Sequence, residues 1–292
     1  NWITTPDGRP GWAEWFARRG WRVFIVDQPA RGRSAWQPDF DGPQHTVSAS
    51  TIEKIFTAPA DYKRWPQAKL HTQWPGTGHI GDPIFDQYYA SLVSSVDRSR
   101  SEQLMRTAGA ALLDRIGAAI IIGHSQGGLH SWLIGDARPD LTKAIIAVEP
   151  SGPPYKDIMS EHAISSQVRH YGLTSEALAY EPAVTRDAPL KFEQQAGSPN
   201  TLPYLLQAGI PRRLAHISKI PVLVVTSQAS YHTLFDHFTV GYLLQAGVKA
   251  QHIRLEEHGI YGNGHMMMLE KNNVEVAEII ETWILLGGVI QN

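Results

Sequence analysis

The chain has 292 residues, a formal net charge of −2 from 26 basic and 28 acidic side chains, and a hydrophobic content of 42%. This composition excludes a disordered chain, and the near balance of charge argues against a nucleic-acid-binding protein. Because there is no cysteine, a thiolate nucleophile, a disulfide scaffold and a zinc–cysteine site are excluded. Every apolar run is also too short to span a bilayer.

Short apolar runs alternate with helical patterns along the chain, which is the sequence signature of an α/β sheet. Buried parallel strands are predicted at 21–26, 118–122, 143–148, 220–226 and 251–255, because such strands are apolar on both faces. Helices are predicted at 101–117, 129–136, 231–246 and 274–286. We therefore predict an α/β fold with a mostly parallel central sheet flanked by helices.

Two stretches, 36–100 and 151–216, are rich in proline and aromatic residues and show poor periodicity. Stretches of this length are uncommon in a compact domain unless they are functional. We predict a single domain over 1–292 in which these two excursions form a cap over the site. The candidate residues of an apolar or aromatic acyl pocket are His124, Trp74, Tyr88, Tyr155 and Met266. The alternative, that the aromatic side chains only form the loops' own core, stays open.

The sequence Gly123-His124-Ser125-Gln126-Gly127 follows a predicted strand directly and opens a predicted helix. This is the context expected of a nucleophile elbow, in which a sharp strand-to-helix turn exposes a serine. Ser125 is therefore the predicted nucleophile. The backbone N–H of Gln126 is the predicted oxyanion donor, because it stands at the helix N-terminus, where negative charge is stabilised.

A serine nucleophile needs a base and an acid that orients the base. His265 is the predicted base because it lies on a glycine-flanked loop after the last predicted strand, and His258 is its nearby rival. Glu149, at the end of the strand 143–148, is the predicted acid, with Asp236 as the alternative.

No metal or cofactor is predicted. The sequence has no HExxH pattern, and no phosphate-binding or dinucleotide-binding glycine pattern follows a strand. His232 and His237 lie five residues apart in one predicted helix, a spacing that does not place them on one face for a metal ion.

Four segments carry a resemblance to a known family: 4–12, 27–34, 123–128 with 148–150, and 262–273. With them the chain resembles the α/β-hydrolase superfamily and, within it, a bacterial and fungal esterase group typified by an Alcaligenes esterase. The resemblance implies hydrolysis of carboxylic esters, a small-molecule ester substrate, and a glutamate acid after the strand that follows the elbow, which is Glu149 here. It also implies export to the periplasm or medium, and it leaves a homodimer open.

Members of that group carry strands and a glycine-rich oxyanion loop before the segment at residue 4, whereas only Asn1–Ile3 precede it here. We therefore expect the first strands and one oxyanion donor to be missing from this chain, and native residues upstream of Asn1. Two alternatives to an esterase stay open. One is another serine hydrolase activity (lactonase, thioesterase, amidase or acyltransferase), and the other is a catalytically inactive binding protein with the same fold.

Overall fold

The computed structural model describes residues 1–156, 158–160, 163–164, 169–197 and 203–287, so parts of the predicted excursion 151–216 lie outside the described residues. The α-helices are α1 Trp12–Arg18, α2 Pro38–Asp41, α3 Ala49–Ile52, α4 Pro59–Tyr62, α5 Pro83–Ala90, α6 Arg98–Ile116, α7 Gln126–Ala137, α8 Asp236–Gln245 and α9 Asn273–Leu286. The strands are β1 Gln44–His45, β2 Ser95–Val96, β3 Ala119–His124, β4 Thr142–Val148, β5 Ile158–Ser160, β6 Ala163–Ile164, β7 Tyr180–Glu181, β8 Phe192–Gln195, β9 Tyr204–Gln207, β10 Arg213–Leu214, β11 Val222–Thr226 and β12 Ala250–Arg254.

The chain divides into two compact units. The first unit comprises Asn1–Asp97, Ser227–Tyr231 and Arg254–Asn292, and the second comprises Arg98–Thr226 and His232–Ile253. The excursion 36–100 falls almost entirely in the first unit and the excursion 151–216 in the second. One domain with two capping excursions stays a prediction.

A four-stranded sheet with the order β12-β11-β4-β3 forms the centre of the second unit. β4 is parallel to both β3 and β11, and Val148 is in register with His124 on one side and Val225 on the other. The carboxyl ends of these three strands therefore meet at one edge. Helix α7 packs on β3 and β4, and α8 packs on β11. The predicted parallel sheet flanked by helices is confirmed.

One predicted strand does not form. Residues 21–26 pair with no strand among the residues that the structure describes, and the side chains of Val23, Phe24, Ile25 and Val26 are 37–48% exposed. An apolar run predicts burial, but a strand exists only where a neighbouring strand satisfies its N–H and C=O groups. The predicted helix 231–246 is also divided into a 3₁₀ turn at Tyr231–Leu234 and α8, so His232 and His237 do not share a helix.

The first unit consists mainly of loops and short helices. Helix α1 packs against α9, and Trp12 Nε1 donates to the backbone oxygen of Asn273 at 2.8 Å. A π-helical turn at Glu53–Thr57 continues α3. Across the described part of the chain, no helix is both long enough and apolar enough to cross a membrane.

Candidate active site

Ser125 occupies the junction between β3 and α7 with a strained backbone. Its φ of 54° and ψ of −118° lie outside the regions that ordinary residues prefer, a conformation that costs about 1–3 kcal/mol. Its N–H donates to Val148 O at 3.0 Å, and its carbonyl accepts from Ser151 N at 3.0 Å. Hydrogen bonds to the neighbouring strand end and the loop after it therefore hold the turn.

Close backbone packing explains two glycines of this turn. A Cβ on Gly123 would lie 2.3 Å from both Gly127 O and Ser131 Oγ, and a Cβ on Gly128 would lie 2.8 Å from Pro150 Cβ. The space beside Gly127 is open, with nothing within 4 Å. The sharp turn thus depends on Gly123 and Gly128, because at these positions the helix approaches the strand and the loop after β4.

Glu149 follows β4 directly and is fully buried, with a φ of 43°. Its N–H donates to Val225 O at 3.0 Å, which extends the ladder between β4 and β11 by one residue. Because β3 and β4 are parallel and in register, Ser125 and Glu149 are the first residues after two adjacent strand ends. The predicted nucleophile and acid therefore lie at the same edge of the sheet.

The alternative acid, Asp236, has both carboxylate oxygens engaged. Nδ1 of His232 lies 2.8 Å from Oδ1, and Thr226 Oγ1 donates to Oδ2 at 2.7 Å. Burial raises the pKa of Asp236, and the Glu149 carboxylate adds to this rise, which the contacts with His232 and Thr226 only partly offset. Asp236 is therefore paired with His232, and the choice of Glu149 as the acid stays a prediction.

His265, the predicted base, lies in the first unit and is 1% exposed. Its ring stacks on Phe56, with centroids 5.0 Å apart and an interplanar angle of 27°, and is 5.1 Å from the ring of Tyr231. The rival, His258, is exposed at the end of a 3₁₀ turn. The rings of Phe56 and Tyr231 thus restrict the imidazole of His265, whereas the imidazole of His258 is exposed.

A buried carboxylate holds the loop that carries His265. Glu270 is fully buried, and its two oxygens each lie 3.0 Å from the N–H of Gly264. Asn263 Nδ2 donates to Oε2 at 2.8 Å, and Nε2 of His71 lies 2.7 Å from Oε1. A Cβ on Gly264 would lie 2.9 Å from the His71 ring. Gly264, the residue before His265, is therefore held between the Glu270 carboxylate and the His71 ring.

The candidate pocket residues fall into two groups. In the first unit, Trp74 and Tyr88 form an edge-to-face pair with centroids 5.6 Å apart, and Tyr88 Oη donates to Met266 Sδ at 3.5 Å. Burial raises the pKa of the Tyr88 hydroxyl. In the second unit, His124 ends β3, and Tyr155 is buried against Tyr242. A role in substrate binding stays a prediction for all five.

Sequence reasoning missed the supporting residues: Phe56, His71, Tyr231, His232 and Glu270. Phe56 and His71 lie in the excursion 36–100, where no periodicity marks individual positions. Glu270 follows His265 by five residues, so its closeness in the sequence to the predicted base could have indicated a supporting role for it. His232 and Asp236 are four residues apart, a spacing that would place them on one face of the predicted helix 231–246.

Comparison with known proteins adds independent information. No family model matches the chain. A "probable secreted lipase phiG" of Fungal sp. (strain ATCC 74256) is 44% identical over 293 residues, covering 97% of this chain and 78% of the relative. A solved structure of a novel bacterial esterase superposes with a TM-score of 0.54 at 22% identity, covering 97% of this chain and 76% of that one.

The chain belongs to the α/β-hydrolase family of esterases and lipases. The identity to the fungal relative decides the family, and the structural superposition agrees with the fold. The hydrolase is accordingly an enzyme of the serine hydrolase type.

Proposed function

We propose that the protein hydrolyses carboxylic esters through Ser125, His265 and Glu149. The observation that carries this proposal is the strained turn at Ser125, with φ 54° at the start of α7. Strain of this size persists where the surrounding structure enforces it, and it concentrates at functional sites. The turn presents a serine at the positive end of a twelve-residue helix, where developing negative charge is stabilised.

In the proposed reaction, Ser125 Oγ attacks the ester carbonyl carbon while His265 accepts the serine proton. The tetrahedral oxyanion accepts a hydrogen bond from the backbone N–H of Gln126, the first residue of α7. Collapse of the intermediate expels the alcohol, which takes the proton from His265, and leaves an acyl-serine. A water molecule that His265 deprotonates then attacks the acyl-serine, and His265 returns that proton to Ser125 Oγ as the bond to the serine breaks and the carboxylic acid is released. Glu149 stabilises the imidazolium in both steps.

Covalent labelling with a fluorophosphonate, together with hydrolysis of p-nitrophenyl esters of increasing acyl length, tests this proposal. Ser125→Ala is expected to abolish labelling and turnover. Ser101→Ala is the matched control, because Ser101 is a buried serine whose Oγ lies 3.1 Å from Nε2 of His130. Labelling that survives Ser125→Ala, or that disappears in Ser101→Ala, would reject the assignment of the nucleophile.

The same experiment separates the esterase from its alternatives. A catalytically inactive binding protein would take up no label, and a chain that labels but turns over only thioesters, lactones or amides would belong to one of the other hydrolase activities. The fungal relative is described as a secreted lipase, which supports ester substrates and export for this protein. Fractionation of the native source and light scattering of the purified protein test export and the homodimer.

A further inference from the structure

Three ionisable side chains form a buried row in the second unit, and the proposed mechanism uses only the first. A Glu149 carboxylate oxygen and a ring nitrogen of His232 lie within 4.8 Å of each other. Nδ1 of His232 lies 2.8 Å from Asp236 Oδ1. All three residues are at most 1% exposed. The row therefore runs from the predicted catalytic acid, through a histidine, to a second carboxylate.

Such a row is costly unless its charges compensate one another, because a buried ionised group loses its hydration. Burial lowers the pKa of His232, but the carboxylates of Asp236 and Glu149 outweigh this effect, and the net shift is upward. Beyond Asp236 the row continues through Thr226 Oγ1, which is 2.7 Å from Asp236 Oδ2 and 2.9 Å from His252 Nε2. His232 therefore lies between the predicted catalytic acid and a second acidic side chain, and its ring is hydrogen-bonded to the latter.

The fold also fixes the positions of His232 and Asp236 beside Glu149. Glu149 has a positive φ and is fully buried. His232 belongs to a 3₁₀ turn, and Asp236 begins α8, which packs on β11. The pair is therefore held by an element packed on the sheet, and it can hold a neighbouring carboxylate in one rotamer.

We propose that His232, held by Asp236, is a positioning residue that fixes the orientation of the Glu149 side chain. This inference rests on the proposed catalytic role of Glu149. His232 need not touch the substrate, so its loss should lower kcat and leave KM within about twofold of the original value. A small misplacement of a catalytic group costs roughly 10- to 100-fold in rate, and we expect a decrease of about 10-fold for His232→Gln.

A double-mutant cycle on kcat distinguishes positioning from a merely structural role. His232→Gln is measured alone and in a Glu149→Gln background. If His232 acts through Glu149, the roughly 10-fold loss shrinks to less than about twofold once Glu149 is neutral, because the shared function is already lost. Asp236→Asn, which keeps the side-chain shape, provides a second variant with the same expectation should His232→Gln fail to fold.

Asp136→Asn is the matched control. Asp136 is equally buried, accepts from Arg106 Nη2 at 2.8 Å, and has a histidine, His216, 3.4 Å away. It lies eleven residues beyond Ser125 in α7, about 16 Å along the helix axis. Asp136→Asn should lower stability, leave kcat close to the original value, and combine additively with Glu149→Gln.

The outcomes separate the two proposals. An unchanged kcat in both His232→Gln and Asp236→Asn, or equal losses in the two backgrounds, would overturn the role of His232 and leave the esterase proposal standing. Full activity in Glu149→Gln or Ser125→Ala would instead reject the proposed function.

Discussion

Replacing Glu270 by glutamine is expected to loosen the loop that carries His265. The carboxylate accepts the N–H of Gly264, lies 2.7 Å from Nε2 of His71, and receives Asn263 Nδ2 at 2.8 Å. Glutamine has nearly the same shape, but it carries no charge and presents an NH₂ group where one acceptor oxygen stood. At least one donor of the loop must then lose its partner.

The size of the effect follows from these contacts. A hydrogen bond to a charged group contributes about 1.5–3 kcal/mol, and a buried donor left without a partner costs about 1–3 kcal/mol. Glu270→Gln should therefore reduce the free energy of unfolding by about 3 kcal/mol. A shift of the His265 ring by a fraction of an ångström should also lower kcat by about 10-fold.

Urea unfolding gives the stability change, and hydrolysis of a p-nitrophenyl ester gives kcat. Glu281→Gln is the control in the same unit, because Glu281 receives Arg19 Nε at 2.5 Å and Trp21 Nε1 at 2.8 Å and lies eight residues into α9, about 12 Å along the helix axis from its start. Arg19 is half-exposed but Glu281 is buried, so this change should lower the free energy of unfolding by about 1–2 kcal/mol and leave kcat unaltered. A Glu270→Gln protein with a stability loss below about 1 kcal/mol and full kcat would refute the reasoning.

Three further changes have defined outcomes. Gly123→Ala should cost about 1–3 kcal/mol in urea unfolding and most of the esterase activity, because the new Cβ would lie 2.3 Å from Gly127 O; activity equal to the parent would contradict the tight turn. Phe56→Leu should lower kcat by about 2- to 12-fold, the equivalent of an aromatic pair's 0.5–1.5 kcal/mol, because the ring stacks on His265; an unchanged kcat would remove Phe56 from the site. Burial raises the pKa of Glu102 above its usual 4.5. As the pH rises, the unfolded chain therefore releases this proton before the folded protein does. The stabilisation that the bound proton gives at low pH is lost as the pH rises through the pKa of the folded protein. Glu102→Gln should flatten that decline, whose slope is at most about 1.4 kcal/mol per pH unit, in urea titrations at successive pH values; an identical pH dependence in both proteins would contradict it.

The local sequence pattern was sufficient to predict an element or a residue's position where the interactions that decide it are local or follow from the order of the strands. The strands β3, β4 and β11 were predicted to within two residues at their ends, because a run of branched apolar residues between turns has few alternatives to a buried strand. The turn at Ser125 was predicted because its glycines, its preceding strand and its following helix are contiguous. The position of Glu149 followed because adjacent parallel strands end at the same edge.

Local pattern failed where a residue's state depends on distant partners. Residues 21–26 have the composition of a buried strand, yet strand formation requires a neighbour, and composition cannot supply one. His232 has no distinguishing feature in the sequence, and its proposed positioning role follows only from the proximity of Asp236 and Glu149 in the fold. Glu270 and His71 are 199 residues apart, so their contact leaves no trace in the local sequence.

The sequence by itself therefore determined the class of fold, the nucleophile candidate and the absence of thiol chemistry, since these depend on residue identity and short-range spacing. Only the tertiary structure decided that Asp236 is paired with His232, that His265 is confined between aromatic rings, and which buried groups lie around the loops that carry the predicted acid and base. The physical reason is that burial and hydrogen bonding set the charge and orientation of an ionisable side chain, and both are properties of the surroundings that the folded chain assembles.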